Sequence, residues 1–366
     1  MLDKKKVVVG MSGGVDSTVA AYMLKEQGYE VIGIHMKVWD DSDTDFVEKE
    51  GGCCSLSAVE DARRVCEKLE IPFYVVNFKS VFKNKVIDYF LDEYKHGRTP
   101  NPCIACNKYV KFDALIKKAH DLGAYYVATG HYSQVEFDKD LKRYVVRLSK
   151  EDRKDQTYTF WSLNQDQLQH ILTPLGGMES KSEVRAIAEK FDVNAAGKSD
   201  SQEICFIPDD DYARYVRENM GAPIRPGNFV DTSGNVLGKH KGIIYYTIGQ
   251  RKGLGITFGK PMYVVEIRSL TNEVVLGTNK EVFSEGLIAS EANFIPFETL
   301  SDKIDAYAKI RYSAKPAKCT IEKLGDNQIK VMFDDMQRAI TPGQAVVFYS
   351  DDMLMGGATI EKAIDS

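Results

Sequence analysis

The feature that most constrains the fold is an alternation, over roughly the first 205 residues, of short apolar runs with amphipathic helical patterns. The apolar runs are nearly continuous, which is typical of strands buried on both faces of a parallel sheet. They lie at residues 7–10, 31–36, 73–76 and 125–130. Helical patterns, with apolar side chains three and four positions apart, lie at residues 17–27, 55–69, 81–95 and 109–122. The alternation predicts an α/β fold with a doubly wound, mostly parallel sheet.

The pattern changes after about residue 205, where short strands and glycine-rich turns replace the helices. Residues 133–148 predict a hairpin appended to the sheet, and residues 208–219 predict a short helix. Later strands are expected at residues 243–249, 262–267, 273–278, 329–333 and 345–349. The three expected domains are an α/β domain over 1–208, a small central domain over 209–277 and a C-terminal β-barrel-like domain over 278–366.

The length and the cysteine count agree with a multidomain protein that keeps its thiols reduced. A chain of 366 residues exceeds what one hydrophobic core usually supports. Seven cysteines, an odd number in a chain without a signal-peptide pattern, disfavour a disulfide framework. No apolar run is long enough to cross a bilayer, so we expect a cytoplasmic protein with no membrane partner. The acidic stretch 40–52 predicts a surface loop.

The net charge of −5 gives no general attraction to nucleic acid, but residues 236–260 form a basic window without an acidic residue. Its cations are Lys239, Lys241, Arg251, Lys252 and Lys260. Such a window can bind a phosphate backbone, and it can equally be a solvated loop face. Charge alone leaves both interpretations open.

The strongest chemical signal is VVVGMSGGVDST, in which a strand runs into Ser12, Gly13, Gly14 and Asp16 and then into a helix. Glycines let backbone N–H groups turn toward phosphate oxygens, and the helix N-terminus adds partial positive charge. The loop has no lysine that could reach a transferring phosphate, which disfavours kinase and motor ATPase chemistry. Asp16 suits a Mg²⁺ ligand. The alternative is a plain strand-to-helix turn with Asp16 as its N-cap.

Cys103 and Cys106 stand three apart in NPCIACNKYVKF, and three uses compete for them. They could form half of a zinc site, a redox dithiol, or a reactive thiol with a partner elsewhere. Structural zinc is disfavoured because no second pair follows at zinc-finger spacing. Cys205, in an apolar ICFI run, would on its own be an inert core thiol. The other cysteines have no assigned chemistry, and packing suits the last two: they are Cys53, Cys54, Cys66 and Cys319.

The glycine loop resembles that of the ATP pyrophosphatase (PP-loop) enzymes, which adenylate a carbonyl oxygen and release pyrophosphate. Further motifs occur in the order seen in the tRNA-specific 2-thiouridylase family. They are TPNPCIACNKYVKF, ATGHY, KDQTYTFW, SDSQEICFI, TIGQRKGLG and RYSAKPA. The resemblance implies 2-thiolation of the wobble uridine of tRNAs for Lys, Glu and Gln. In that reaction ATP activates the C2 oxygen, sulfur displaces it, and AMP and pyrophosphate leave.

The resemblance also implies roles for the cysteines. Cys106, directly before Asn-Lys, matches the nucleophilic cysteine, and Cys205 matches the residue that carries a persulfide. Many members carry aspartate where this chain has Cys103, and a thiol titrates about four units higher, so an acid-base role cannot be assumed there. With Cys103 present, the three cysteines could instead hold a [4Fe-4S] cluster with one iron open for sulfide, as some family members do. Both routes stay open.

Contacts to ATP, Mg²⁺ and tRNA follow from the same resemblance. The residues expected to contact ATP are Gly10, Met11, Ser12, Gly13, Gly14, Val15, Asp16, Ser17, Met36 and Gly130. Those expected to contact the tRNA are Asn101, Pro102, Cys103, His131, Lys154, Asp155, Gln156, Arg311, Tyr312 and Gln344. The first three of these should lie beside the target base. The expected partners are the anticodon arm of tRNA and a sulfur donor protein, either a cysteine desulfurase or a persulfide relay.

Two rival functions can be stated. Another adenylating ligase of the PP-loop superfamily would use ammonia or an amino acid, and it would leave Cys106 and Cys205 without a purpose. A non-catalytic tRNA-binding or sulfur-carrier protein would leave the SGGVDS loop without one. Absence of ATP binding would favour the second rival.

Overall fold

The computed structural model of the protein describes residues 2–38, 56–191, 204–207, 209–256, 259–325 and 327–365. The chain forms two compact units. The first comprises residues 1–87, 102–210 and 352–354, and the second comprises residues 88–101, 211–351 and 355–366. The predicted surface loop at 40–52, together with Cys53 and Cys54, lies outside the described residues.

A parallel sheet forms the centre of the first unit. The strands of this unit are β1 (Asp3–Gly10), β2 (Glu30–Lys37), β3 (Phe73–Asn77), β4 (Ala124–Ala128), β5 (Gln134–Asp138), β6 (Arg143–Arg147) and β7 (Ile171–Leu172). The sheet has the order β3-β2-β1-β4-β7, and each neighbouring pair in it is parallel. Strand order reverses at β1, which is where ligands bind in doubly wound sheets. The predicted fold class is confirmed.

Helices of the first unit pack against the sheet. The α-helices of the described chain are α1 (Val15–Glu26), α2 (Leu56–Lys68), α3 (Lys79–Phe82), α4 (Asp88–Lys95), α5 (Pro102–Cys106), α6 (Leu115–Asp121), α7 (Gln165–Leu168), α8 (Lys181–Glu189) and α9 (Tyr212–Asn219). Val7 and Val9 of β1 share one core cluster with α1, α2 and α8. Successive side chains of a strand point to opposite faces, and α6 lies against β1 and β4. Burial on both faces explains the unbroken valine run.

The predicted hairpin is confirmed as β5 and β6, which pair antiparallel from Gln134↔Arg147 to Asp138↔Arg143. Arg147 ties it together, because its guanidinium reaches Glu136, Asp138 and Asp352 at 2.6, 3.2 and 2.9 Å.

The second unit is mostly β. Its strands are β8 (Gly227–Asp231), β9 (Val236–His240), β10 (Tyr263–Arg268), β11 (Glu273–Gly277), β12 (Phe283–Phe294), β13 (Ile304–Lys309), β14 (Ala317–Lys323), β15 (Gln328–Arg338), β16 (Ala345–Ser350) and β17 (Met353–Ile364). A small sheet has the order β10-β11-β8-β9. The others follow the order β12-β15-β14-β13-β16-β17, and β12 pairs with β17 to close a barrel. The predicted C-terminal barrel is confirmed. The domain boundaries stay a prediction.

Two local predictions were wrong. Residues 243–249 do not form a strand, because a 3-10 turn at Ile243–Tyr245 follows Gly242, whose φ is +140°. Their apolar character comes from packing, since Tyr246 is buried in the core of the small sheet, Ile243, Tyr245 and Ile248 pack against that core, and Ile244 is buried as well. The helix predicted from residue 109 begins at Pro102 and continues as a π-helix over Asn107–Ala114 before α6. Proline suits a first helical position because its fixed φ matches the helix.

Candidate active site

The glycine loop joins β1 to α1 at the carboxyl edge of the sheet. Gly14 is the N-cap of α1, and no side chain caps this helix. The first-turn N–H groups of a helix that lacks a side-chain cap are available for an anion, and the helix dipole favours negative charge there. The loop therefore has the arrangement that an anion cradle requires.

Gly13 has the conformation that most restricts the loop. Its φ is +72°, and a Cβ at this position would lie 2.3 Å from the carbonyl oxygen of Ala58 in α2. Gly14 has φ −99°, and a Cβ there would meet only the Ser12 hydroxyl at 3.3 Å. Only glycine can therefore occupy position 13, where backbone passes directly beside backbone.

Serine hydroxyls and a buried histidine hold the rest of the loop. The hydroxyl oxygens of Ser12 and Ser17 lie 3.2 Å apart, and the Ser17 hydroxyl accepts from the Ser12 N–H at 3.2 Å. Met11 is buried and its carbonyl accepts from His35 Nδ1 at 3.0 Å. Burial lowers the pKa of His35 despite this bond, so the ring is neutral near pH 7 and serves as a fixed support.

Asp16 does not cap α1, in contrast to the alternative considered from sequence. Its Oδ1 accepts from the Tyr132 hydroxyl at 2.9 Å and from Lys181 Nζ at 2.5 Å. The same ammonium lies 5.2 Å from the centre of the Tyr132 ring. Lys181 opens α8, whose N-cap Ser180 accepts from the N–H of Glu183. The loop has no lysine of its own, and α8 places one beside it.

The other residues expected at ATP lie at the same edge. A Cβ at Gly10, the end of β1, would lie 3.5 Å from Met36 Cε on β2. Gly130 follows β4, and a Cβ there would lie 2.7 Å from the backbone carbon of Asp16 and 2.8 Å from the Ser17 nitrogen. Three neighbouring strands thus bring the predicted ATP set together around the start of α1.

Cys103 and Cys106 lie on α5. Positions three apart share one helix face; Cys103 is exposed, Cys106 is half-buried, and Pro102 before them is buried. Cys205 is exposed in a turn closed by the Ile207 N–H on the Ile204 carbonyl. Its neighbours Phe206 and Ile207 are each 1% exposed. The apolar run therefore anchors the turn while its cysteine faces outward, which is unlike an inert core thiol.

Cys66 and Cys319 are buried, as their packing roles predict. Burial raises the pKa of each thiol to about 12. In the part of the chain that the structure describes, no group of three or more His, Cys, Asp and Glu side chains is placed to hold a metal ion. The described cysteines at 103, 106 and 205 are thus not gathered into one ligand group in this structure, and the iron-sulfur cluster stays a prediction.

His131 is buried between Phe112 and Phe160, with ring centres 5.9 and 5.2 Å away, and its Nδ1 lies 2.7 Å from the Thr129 hydroxyl. Burial, and secondarily the charge of Lys111, hold the pKa of His131 well below its usual value. The neutral ring has the surroundings of a structural residue. Its predicted tRNA contact stays a prediction.

The segment Lys154–Gln156 links a 3-10 turn at Asp152–Lys154 to a second 3-10 turn at Thr157–Thr159. The Asp155 carboxylate accepts from the Ser149 N–H at 3.1 Å and from the Thr157 hydroxyl at 2.7 Å. Gln156 pairs with Tyr132 through two bonds: Gln156 Oε1 accepts from the Tyr132 N–H at 3.0 Å, and the Tyr132 carbonyl accepts from the Gln156 N–H at 2.9 Å. The Asp155 and Gln156 side chains therefore fix the local backbone, and their predicted tRNA contacts stay a prediction.

In the second unit, Gln344 holds the segment that precedes the predicted target-base residues. Its Nε2 donates to the carbonyls of Thr99 and Pro100 at 2.8 and 3.3 Å. Arg98, next along, pairs with Glu93 at 2.8 Å and Glu361 at 2.7 Å. The segment 98–100, directly before the half-buried Asn101, is thus held both by its backbone carbonyls and by the Arg98 side chain.

Tyr312 is 46% exposed and can stack on a base, while Arg311 donates to the carbonyl of Arg338 at 3.1 Å. The cations of the basic window are also exposed; they are Lys239, Lys241, Arg251, Lys252 and Lys260. Exposure suits both interpretations of that window, a phosphate footprint or a solvated face.

Comparison with known proteins first gives the class. Family models match in succession: the tRNA methyl transferase HUP domain over residues 5–209, the tRNA methyl transferase PRC-barrel domain over 214–278, and the aminomethyltransferase beta-barrel domain over 284–360. The chain thus has the class of a three-domain protein in which a HUP domain is followed by a PRC-barrel domain and a β-barrel domain.

Curated relatives then give the family. The tRNA-specific 2-thiouridylase MnmA of Clostridioides difficile (strain 630) is 58% identical over 100% of both chains. MnmA 2 of Clostridium botulinum (strain Okra / Type B1) is 59% identical over 98% of this chain and 100% of its own. MnmA of Clostridium perfringens (strain ATCC 13124) is 56% identical over 99% of this chain and 100% of its own. The chain belongs to the tRNA-specific 2-thiouridylase family, which confirms the resemblance found in its motifs.

Among the described helices, none combines the length and apolar character needed to cross a membrane. Tyr132 and Lys181 are the candidate site residues that sequence reasoning missed. Tyr132 ended the ATGHY motif and could have been noticed there. Lys181 carried no local signal, because it lies 165 positions from Asp16.

Proposed function

We propose that the chain catalyses ATP-dependent 2-thiolation of the wobble uridine in tRNAs for Lys, Glu and Gln. As a member of the tRNA-specific 2-thiouridylase family the chain is an enzyme, a tRNA sulfurtransferase. The observation that carries the proposed route is the uncapped start of α1 behind the glycine loop, where the predicted ATP residues of β1, β2 and β4 converge.

The first step is adenylation of the uridine. The uridine C2 oxygen attacks the α-phosphorus of ATP, and pyrophosphate leaves. The N–H groups of the loop and of the first turn of α1 bind phosphate oxygens, and Met36 and Gly130 flank the adenine. Lys181, held at Asp16, adds a positive charge to the same place. A bound Mg²⁺ would offset phosphate charge, and one carboxylate with phosphate oxygens is a usual donor set for it, which Asp16 can supply.

The second step replaces the activated oxygen by sulfur. The outer sulfur of a persulfide on Cys205 attacks C2, and AMP leaves. Cys106 then attacks the Cys205 sulfur: a disulfide forms between the two cysteines, the bond from Cys205 to the transferred sulfur breaks, and its electron pair leaves with that sulfur on C2. Alternatively, Cys106 attacks the Cys205 sulfur first, a disulfide between the two cysteines forms, and the hydrosulfide expelled from the persulfide attacks C2 directly. Neither of these two routes needs an iron-sulfur cluster.

Recognition of tRNA would involve both units. In the first, Pro102 and Cys103 at the start of α5 lie beside the target base, and the turn at Lys154 contacts the anticodon arm. In the second, Tyr312 offers a stacking face and the exposed basic window meets phosphates. A sulfur donor protein, a cysteine desulfurase or a persulfide relay, loads Cys205, whose exposure suits such a transfer. With tRNA as the substrate, we place the enzyme in the cytoplasm.

The test is nucleoside analysis of unmodified glutamate tRNA after incubation with the protein, Mg-ATP and sulfide. Wild-type protein should form 2-thiouridine, Cys106→Ala should not, and Cys205→Ala shows whether a persulfide is needed when sulfide is supplied. Cys66→Ala is the matched control, since that thiol is buried. If ATP is cleaved to AMP but no thiolated base forms, either aerobically or after anaerobic iron reconstitution, the proposed adenylating role of the loop is supported and the proposed tRNA substrate is refuted.

A further inference from the structure

Tyr132 occupies a position that the proposed reaction does not yet use. It is 2% exposed and lies just after the carboxyl end of β4, next to the strand that feeds the glycine loop. Its hydroxyl donates to Asp16 Oδ1 at 2.9 Å. Its ring lies beside the ammonium of Lys181, which donates to the same oxygen. One buried side chain thus touches both charged groups at the start of α1.

The backbone of Tyr132 is held from a different direction. It exchanges two hydrogen bonds with Gln156, one through the Gln156 side chain and one through its N–H. Gln156 in turn caps the 3-10 turn Thr157–Thr159, where the Thr159 N–H and hydroxyl donate to its carbonyl at 3.1 and 3.0 Å. Thr157 of this turn and Phe160 directly after it are fully buried. The turn is a rigid base, and Tyr132 reaches from it to Asp16.

We propose that Tyr132 is a positioning residue that fixes Asp16 beside the phosphates of ATP, with the Gln156 turn as its support. The inference rests on the proposed function, because it assigns ATP to the loop. A hydroxyl bond to a carboxylate is stronger than a neutral one, and it sets the direction of Oδ1. The predicted tRNA contacts Lys154, Asp155 and Gln156 directly precede this turn, so the position of the turn affects the binding of both ATP and tRNA.

The first experiment compares Tyr132→Phe with wild type by calorimetric titration with α,β-methylene-ATP and with AMP, in Mg²⁺ and without tRNA. The variant keeps the buried ring and loses only the hydroxyl. Loss of a hydrogen bond to a charged group should lower the affinity for the ATP analogue about tenfold. The affinity for AMP should stay nearly unchanged. Tyr125→Phe is the matched control, because that hydroxyl donates to Gln169 at 3.2 Å, away from the loop. It should leave both affinities unchanged.

A merely structural role would lower the melting temperature and weaken both nucleotides equally, and that result would overturn the inference. Unchanged binding of the ATP analogue by Tyr132→Phe would overturn it too, with the proposed function intact. If wild-type protein binds neither nucleotide, the proposed function fails instead.

The second experiment tests the support. Gln156→Ala removes the side-chain hydrogen bond to the Tyr132 N–H without changing Asp16. Like Tyr132→Phe, it should therefore lower the affinity for the ATP analogue more than the affinity for AMP. The double variant should lose little more than the stronger single variant, since both changes act on one chain of contacts. Full additivity, or an unaffected Gln156→Ala, would contradict the role of the turn. If Tyr132→Phe does not fold, Gln156→Ala carries the test alone.

Discussion

The close passage of Gly13 beside α2 makes the sharpest prediction. An alanine at position 13 would keep φ near +72° and would place its Cβ 2.3 Å from the Ala58 carbonyl oxygen. The left-handed conformation costs an alanine about 1 to 2 kcal/mol, and overpacking against fixed backbone adds about 1 to 3 kcal/mol. Gly13→Ala should therefore lower the free energy of unfolding by about 2 to 5 kcal/mol and displace the loop.

Two other glycines separate these contributions. Gly28 has φ +86° with nothing within 4 Å of its Cβ position, so Gly28→Ala should show the backbone cost alone, about 1 to 2 kcal/mol. Gly14 has an ordinary φ and meets only a serine hydroxyl, so Gly14→Ala should cost about 1 kcal/mol or less.

The assays are urea denaturation and calorimetric titration with α,β-methylene-ATP. Gly13→Ala should lose both stability and nucleotide affinity, whereas Gly28→Ala should lose only stability. If Gly13→Ala is no less stable than Gly28→Ala, the close backbone contact is not what fixes the loop, and the reasoning fails.

Further predictions concern charge and protonation. Burial raises the pKa of the Cys66 thiol from 9.0 to about 12, so its contribution to the free energy of unfolding is complete below pH 9 and is lost as the pH rises toward 12. Between pH 8 and pH 10, Cys66→Ala should therefore lose less unfolding free energy in urea denaturation than wild type. Arg98→Met leaves two half-buried carboxylates, those of Glu93 and Glu361, without their cation, and should lower the free energy of unfolding, measured by urea denaturation, by about 2 to 3 kcal/mol. Lys181→Met should weaken α,β-methylene-ATP about tenfold in calorimetric titration, while Lys190→Met, on the same helix segment, should not.

Each of these has a result that would contradict it. If Cys66→Ala and wild type lose equal amounts of unfolding free energy between pH 8 and pH 10, this thiol does not titrate as its burial requires. For the ion pairs, Arg98→Lys should recover part of the stability, and full stability of Arg98→Met would show that solvent satisfies both carboxylates. Equal nucleotide affinities for the Lys181→Met and Lys190→Met variants would show that Lys181 does not contribute to nucleotide binding, because the Lys190 ammonium lies 5.9 Å from the centre of the Tyr22 ring rather than beside Asp16.

The sheet could be predicted because burial on both faces leaves a direct mark in the sequence. Val7, Val8 and Val9 are fully buried, and such a run has few alternatives to a central strand. The glycine loop could be predicted for a similar reason, since Gly13 needs a conformation that other residues avoid. Both signals are local, and one sequence is enough to find them.

The contacts around Asp16 could not be predicted, because they are brought together by the fold. Tyr132 and Lys181 lie 116 and 165 positions away along the chain, and neither residue type announces its partner. The run at 243–249 misled for the opposite reason. Its apolar residues fill a core from a turn, and hydrophobicity alone does not distinguish a buried turn from a buried strand.

The closure of the barrel also has a consequence for how the chain is made. Gly286 of β12 pairs with Ile364 of β17, so the ribosome must add 364 − 286 = 78 further residues before that pair can form. At typical synthesis rates this takes about 4 to 16 s. During that interval one edge of β12 has no neighbour, and an unpaired edge is a template for association with other chains. This edge of β12 is therefore most open to such association while residues 287–364 are being added.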